Sequence, residues 1–247
     1  GAEILDVNVG HPEIDEKKMM VRVLKAIQSV CDVPLQIDST KPEVIEAGLR
    51  YYNGKPILNS VNGEEQSLAT VLPLVKKYGA SVVGLALDEN GIPKTAEGRF
   101  EIAKRIVERA EAVGIDRKDV YIDCLTLTVS AEQAACRQTL EALHRVKTEL
   151  GCKTCLGVSN ISFGLPNREL VNRTFLTMAM EQGLDLPIIN PNVESMTGAV
   201  RAYKLLAGFD KNSVDFIKHY AGKQIVPKIV ISENKSAGTD TKSGTDG

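Results

Sequence analysis

The sequence predicts a parallel α/β fold closed into a (β/α)8 TIM barrel, and three observations carry that expectation. Seven short apolar runs each end on Asp or Asn, at Asn8, Asp38, Asn59, Asp88, Asp123, Asn160 and Asn190. The spacing between these markers is that of a strand followed by a helix, roughly 30 residues. The runs SVVGLAL and KTCLGVS are nearly continuous in apolar or small residues, as expected of strands whose outer face is covered by helices and whose inner face is filled by side chains. In a closed barrel the C-terminal strand ends share one rim, where the βα loops converge and enzymes of this shape place their chemistry.

The helices are expected over about Asp15 to Val30, Pro42 to Tyr52, Glu65 to Tyr78, Ala96 to Val113, Ala131 to Leu150, Asn167 to Gln182 and Met196 to Ala207. Apolar residues recur at three and four within them, as Ile102, Ile106, Val107 and Ala110 do. Gly54, Gly79, Gly114, Gly151 and Gly183 stand just before the next strand, where a helix C′ position asks for left-handed backbone. Starts are marked by Pro42 after Ser39-Thr40-Lys41, and by Ser130 with Gln133 three residues on, a capping-box spacing.

At the chain's start, Gly1-Ala2-Glu3 repeats the register of Gly79-Ala80-Ser81. Gly1 is thus expected to close a helix, with the first strand and helix of the barrel missing ahead of it. From Asn234 the run NKSAGTDTKSGTDG is polar and aperiodic, so residues 1–231 are expected to form one N-terminally truncated barrel domain and 232–247 a flexible tail or linker.

A chain of 247 residues suits one barrel, and a net charge of -2 without a dense Lys/Arg block gives no footprint for nucleic acid. No apolar run approaches the roughly 18 residues of a membrane span, and no charged-then-apolar leader is visible. The expectation is a cytoplasmic protein with a small-molecule ligand and no nucleic-acid or membrane partner, compatible with a homo-oligomer. Five cysteines, an odd number, read as reduced core thiols. Cys152 and Cys155 form the single CxxC, and Cys155 lies within an apolar run. His11, His144 and His219 are scattered, so no metal site is expected.

Asp38, Asn59, Asp123 and Asn160 are the candidate chemistry. Carboxylates accept parallel hydrogen bonds from a planar N–C–N edge, and carboxamides donate or accept. Two of each, without Lys or Arg on the strand tips, suit a neutral amino-pyrimidinone heterocycle and not a phosphate. Taken singly, each fits a helix cap as well as a site; four together favour a site.

Four segments carry a resemblance: LDVN at Leu5 to Asn8, IDST at Ile37 to Thr40, ILNSVNG at Ile57 to Gly63 and GVSNISFGLPNRELVNRTFL at Gly157 to Leu176. They resemble the pterin-binding methyltransferases, and within that family the methyltetrahydrofolate-binding domain of cobalamin-dependent methionine synthases, from Gly1 to about Gly208. The resemblance implies that Asp38, Asn59 and Asp123 hold the pterin and that Asn160 reaches N-5, the methyl-bearing nitrogen, as the catalytic group. Asn8, Gly157 and Ser159, within the matched motifs, join the implied pterin-binding set; LDENG at Leu87 to Gly91 belongs to the pocket rim. The implied reaction moves the methyl group of 5-methyltetrahydrofolate to the cobalt(I) of cobalamin or another corrinoid, supplied by another domain or protein. N-5 is a poor leaving group, so an amide that can donate a hydrogen bond as the C–N bond breaks lowers the barrier.

Two departures stand out. Cys124 follows Asp123 where many relatives carry Pro, so a different local backbone is expected. The missing first strand is expected to leave an open seam beside the pocket. The alternatives are a methyltetrahydrofolate:corrinoid protein methyltransferase of acetogenic or demethylating metabolism, dihydropteroate synthase, and a folate-binding module without turnover. Dihydropteroate synthase would need a Ser-Arg-Lys group where this chain reads SNISF.

Overall fold

The computed structural model of the protein describes residues 2–222. The expected helix-closing role of Gly1, the domain limit at 231 and the tail at 232–247 lie outside the described residues. Seven strands, β1 (Leu5–Asn8), β2 (Leu35–Asp38), β3 (Ile57–Asn62), β4 (Ser81–Leu85), β5 (Val120–Asp123), β6 (Lys153–Gly157) and β7 (Leu186–Ile188), form one sheet in sequence order. Every neighbouring pair is parallel. The helices between them are α1 (Glu16–Gln28), α2 (Pro42–Tyr51), α3 (Glu65–Tyr78), α4 (Ala96–Ala112), α5 (Ala135–Arg145), α6 (Arg168–Glu181) and α7 (Glu194–Leu206); α8 (Val214–Tyr220) follows. This is the expected βα alternation, wound into a nearly closed barrel. At the seam, Ile4 just before β1, Asp6 of β1, and Leu186 and Ile188 of β7 line one cleft of about 280 Å³.

Strand side chains alternate between two separate cores, as a period of two requires. Val7, Leu35, Ile37, Leu58, Val82 and Ile122 pack with helix residues such as Met20, Leu24, Leu72 and Ile106 in the outer shell. Ile57, Val83 and Cys155 form the inner cluster, with Ile4, Leu85, Tyr121, Leu186 and Ile188 against it. Burying one Leu or Ile of the shell contributes about 1.5–3 kcal/mol, so the shell holds the strand tips in place while the inner face is free to turn polar at the rim.

Helix ends follow the sequence signals closely. Asp15 caps α1 by accepting from Lys18 N, Pro42 opens α2, and Thr95 caps α4 through Gly98 N. Gly79 closes α3 in the left-handed region (φ 66°), and Gly54, Gly114, Gly151 and Gly183 also have positive φ. Ser130 is a correction: α5 begins at Ala135 without a side-chain cap. The Ser130 hydroxyl is spent on the carbonyl of Phe163, 2.7 Å away, which Thr128 Oγ1 also reaches at 2.7 Å. The same helix ends in a π turn, Val146–Leu150. Among the described residues no helix is long and apolar enough to cross a membrane.

Candidate active site

The register places Asn8, Asp38 and Asn59 side by side on the C-terminal ends of β1, β2 and β3. Asn8 Nδ2 donates to Asp38 Oδ2 at 2.9 Å, and Asn8 Oδ1 accepts from Gly10 N at 3.0 Å. The Asn59 carbonyl accepts from Ser39 N at 3.0 Å, tying the tips of β2 and β3 together. The Asn59–Ser60 peptide is cis, and the pairing with β4 shifts register between Asn59 and Val61. Burial pushes the Asp38 carboxyl above its ordinary value, the Asn8 hydrogen bond opposes this, and the charge of Glu16 adds to it. Glu16 is itself held low by Lys41 and Ser39, which it meets at 2.7 and 2.5 Å.

Asp123, on the end of β5, is the buried carboxylate of the rim, at 8% exposure. Its Oδ1 accepts from Leu125 N at 2.7 Å. Burial raises its pKa to about 6 against hydrogen bonds from the Leu125 and Gly157 amides and the nearby charge of Arg99. Leu125 has a positive φ of 61°, so the backbone after Asp123 turns sharply.

Asn160 lies beyond the end of β6, on the 3-10 turn Val158–Ser162, where it is exposed. A Cβ at Gly157 would lie 3.2 Å from Asn160 Nδ2, so the glycine gives the amide room to fold over the strand end. Arg168 staples this turn: Nη2 donates to the Ser159 carbonyl at 2.9 Å, Nε to Ser162 Oγ at 3.0 Å, and the guanidinium stacks on Phe163 at 4.6 Å. The Ser159 carbonyl is therefore occupied by Arg168.

None of Asp38, Asn59, Asp123 and Asn160 serves as a helix N-cap, since those positions fall at Lys41, Glu64, Ala134 and Asn167. Asp88 departs from the reading that set it at a strand tip. The strand β4 ends at Leu85, which pairs with Asp123, and Asp88 turns the following loop by accepting from Asn90 N at 2.9 Å while pairing with Arg105 at 3.1 Å. Asn190 likewise lies past β7 and accepts from Asn192 N. Cys152 and Cys155 fall in different cores, the shell and the barrel interior, so the CxxC does not form a working pair. Burial raises both thiols.

Two inward-facing residues were not singled out from the sequence. Asp6 sits one inward position below Asn8, still open to solvent, and accepts from Gln36 Nε2 at 2.8 Å; partial desolvation raises its pKa, Gln36 opposes, and the charge of Asp38 adds. The alternation in LDVN puts Asp6 and Asn8 on the same face and was the available signal.

A nearly closed parallel barrel with carboxylates and carboxamides set on one rim defines a (β/α)-barrel protein whose site lies at the strand C-terminal ends. The chain belongs to the family of pterin-binding enzymes, which it matches over residues 1–190. It is 34% identical over 203 residues to a methionine synthase of Mycobacterium leprae, an alignment covering 77% of this chain and 17% of that protein. The chain thus spans under a fifth of the methionine synthases it matches. It is 30% identical over 233 residues to a methylcorrinoid:tetrahydrofolate methyltransferase of Eubacterium limosum, covering 92% of this chain and 85% of that one. Among solved structures, a Yersinia pestis dihydropteroate synthase superposes with a TM-score of 0.67 at 19% identity, over 84% of each chain. One from Xanthomonas albilineans gives 0.69 at 22%, over 84% of this chain and 80% of the other. At those identities the structural likeness speaks for the fold.

Proposed function

We propose that the rim binds 5-methyltetrahydrofolate and that the chain transfers its N-5 methyl group to the cobalt of cobalamin or another corrinoid, carried by another domain or protein, as in methionine synthesis. The observation that carries this reading is the lateral row Asn8–Asp38–Asn59, with the buried Asp123 held by main-chain amides on the same rim. Asp38 accepts one hydrogen bond from Asn8, and Asp123 two from the Leu125 and Gly157 amides; an ionised carboxylate has about four lone-pair sites, so each keeps acceptor capacity for the N–C–N donor edge of a pterin. Asn59 adds a carboxamide between them.

A corrinoid supplies the cobalt nucleophile on which the methyl group lands. The chain's own part is to hold the pterin and to meet N-5. As the C–N bond breaks, its electron pair stays on N-5; the Asn160 amide donates a hydrogen bond to it before a proton arrives. Exposure of Asn160 fits a methyl acceptor that approaches from outside the barrel. Phe163, half exposed beside it, and the Arg168 staple keep the turn in one geometry. We place the reaction in the cytoplasm, where the five free thiols stay reduced.

A second reading has its own support. The relative from Eubacterium limosum is named for methyl transfer in the opposite sense, and the match spans most of that enzyme. The same rim would serve both directions, because the forward and reverse transfers pass through one transition state, and a group that stabilises it accelerates both. The direct test is titration with 5-methyltetrahydrofolate beside Asp38→Asn, followed by absorbance of free cob(I)alamin during methyl transfer. Saturable binding that the variant loses, with consumption of cob(I)alamin by the wild type, is the expected result. A folded chain that binds no folate would remove the reading.

A further inference from the structure

Arg99 occupies a place that helix formation alone does not explain. It lies in the first turn of α4, where a cation is opposed by the helix dipole, and its exposure is 0%. Arginine is almost never so buried without a carboxylate partner. Here the hydrogen-bond acceptors are neutral: Pro93 O at 2.9 Å from Nε, and Thr139 Oγ1, Leu125 O and Cys124 O at 2.7, 3.1 and 3.2 Å from Nη1. Thr139 Oγ1 has one proton to share between the carbonyls of Ala135 at 2.9 Å and Leu125 at 3.1 Å. Arg99, held in place by the oxygen of Thr139, therefore clamps the carbonyls of the two residues that follow Asp123.

The clamped loop is strained. Leu125 is a non-glycine residue at φ 61°, a conformation that persists only where its surroundings over-determine it. In that conformation its N–H points back at Asp123 Oδ1, 2.7 Å away.

We propose that Arg99 is the positioning residue of Asp123, fixing the Leu125 amide that orients the carboxylate toward a pterin. The inference rests on the pterin reading of Asp123. The other groups facing that carboxylate are the Leu125 and Gly157 amides and the thiols of Cys124 and Cys155. Burial holds both thiols neutral through the range of the test. Arg99 is the only group among these that lowers the Asp123 pKa by charge.

The test is calorimetric titration of 5-methyltetrahydrofolate from pH 5 to 8 with wild type, Arg99→Met, Arg99→Lys, Asp123→Asn and the Arg99→Met/Asp123→Asn double variant. Arg99→Met should weaken binding about tenfold at pH 7, the worth of one charge-assisted hydrogen bond, and move the acid loss of binding to higher pH. Arg99→Lys should return that midpoint toward wild type, and the double variant should bind no more weakly than Asp123→Asn. Wild-type affinity in Arg99→Met, or losses that multiply in the double variant, would overturn the role of Arg99 while leaving the pterin site standing. Wild-type affinity in Asp123→Asn would instead remove the pterin reading itself. If Arg99→Met does not fold, Thr139→Val carries the test: severalfold weaker binding with an unchanged midpoint supports the clamp, and unchanged affinity refutes it.

Discussion

Asn8 and Asp38, on the registered ends of β1 and β2, share a 2.9 Å hydrogen bond from Nδ2 to Oδ2. Burial raises the Asp38 pKa, and the bond opposes it by favouring the ionised carboxylate. Asn8→Ala should therefore weaken 5-methyltetrahydrofolate binding by about tenfold, more at pH 5 than at pH 8, because the Asp38 pKa rises further once the donor is gone. Asn8 is exposed, so stability should change by no more than roughly 0.5 kcal/mol. Titrations at the two pH values and one thermal melt check this, and equal affinities at pH 5 would discard it.

Asp123 sets function against stability. Its folded-state pKa of about 6 lies above the ordinary value of 3.8, so the carboxyl contributes stability that is fully present below the unfolded value and is lost as pH rises through 6. A shift of that size corresponds to about 3 kcal/mol. Asp123→Asn does not titrate there. Relative to wild type, the variant should gain stability as pH rises from 4 to 6 and hold that gain above 6, while binding folate far more weakly. Urea melts of both proteins across this range measure the difference, and a flat difference would contradict the burial of a charged Asp123.

Gly63 shows why the ILNSVNG segment ends as it does. A Cβ there would lie 2.6 Å from Ile102 Cγ2 and 2.8 Å from both the Arg105 guanidinium and the Leu87 carbonyl. Arg105 can swing away, but the Leu87 carbonyl is backbone and already accepts from Gly63 N at 2.8 Å. Gly63→Ala should cost about 1–3 kcal/mol, read as a lower thermal midpoint, with Gly63→Ser no better. A melt at the wild-type midpoint would show that the loop gives way freely.

The strand ends were legible because the apolar residues just before them, Ile37, Leu58 and Ile122, belong to the outer shell, and a period of two then turns Asp38, Asn59 and Asp123 inward at the rim. Asp88 misled for a physical reason. The apolar run continues through Ala86 and Leu87, yet the chain has already left the ladder at Leu85, with Leu87 N turning back to the Leu85 carbonyl at 2.8 Å. Ser130 misled because a hydroxyl can cap its own helix or another loop's carbonyl, and only the packing of Phe163 decides which. Arg99 was invisible for a third reason. A charged residue in the first turn of an amphipathic helix reads as solvated, and its acceptors, Leu125 and Thr139, are 26 and 40 residues away in the chain.

Asn160 and Gly157 separate chemistry from binding. If Asn160 acts on N-5 while the pterin ring is held by Asp38, Asn59 and Asp123, then Asn160→Ala should lower the rate of methyl transfer by roughly 10²–10³, the usual cost of removing one donor aimed at developing charge, and change folate affinity by much less. Gly157→Ala keeps the amide but sets a methyl 3.2 Å from its Nδ2. That spacing forces a displacement of a few tenths of an ångström, which should cost transfer about tenfold while the protein stays folded, because alignment of a donor is steeply sensitive to position. Single-turnover absorbance of cob(I)alamin with saturating 5-methyltetrahydrofolate gives the transfer rate apart from binding. A loss confined to affinity in both variants would make Asn160 a ring-binding residue and move the search for the N-5 donor to another group on the rim.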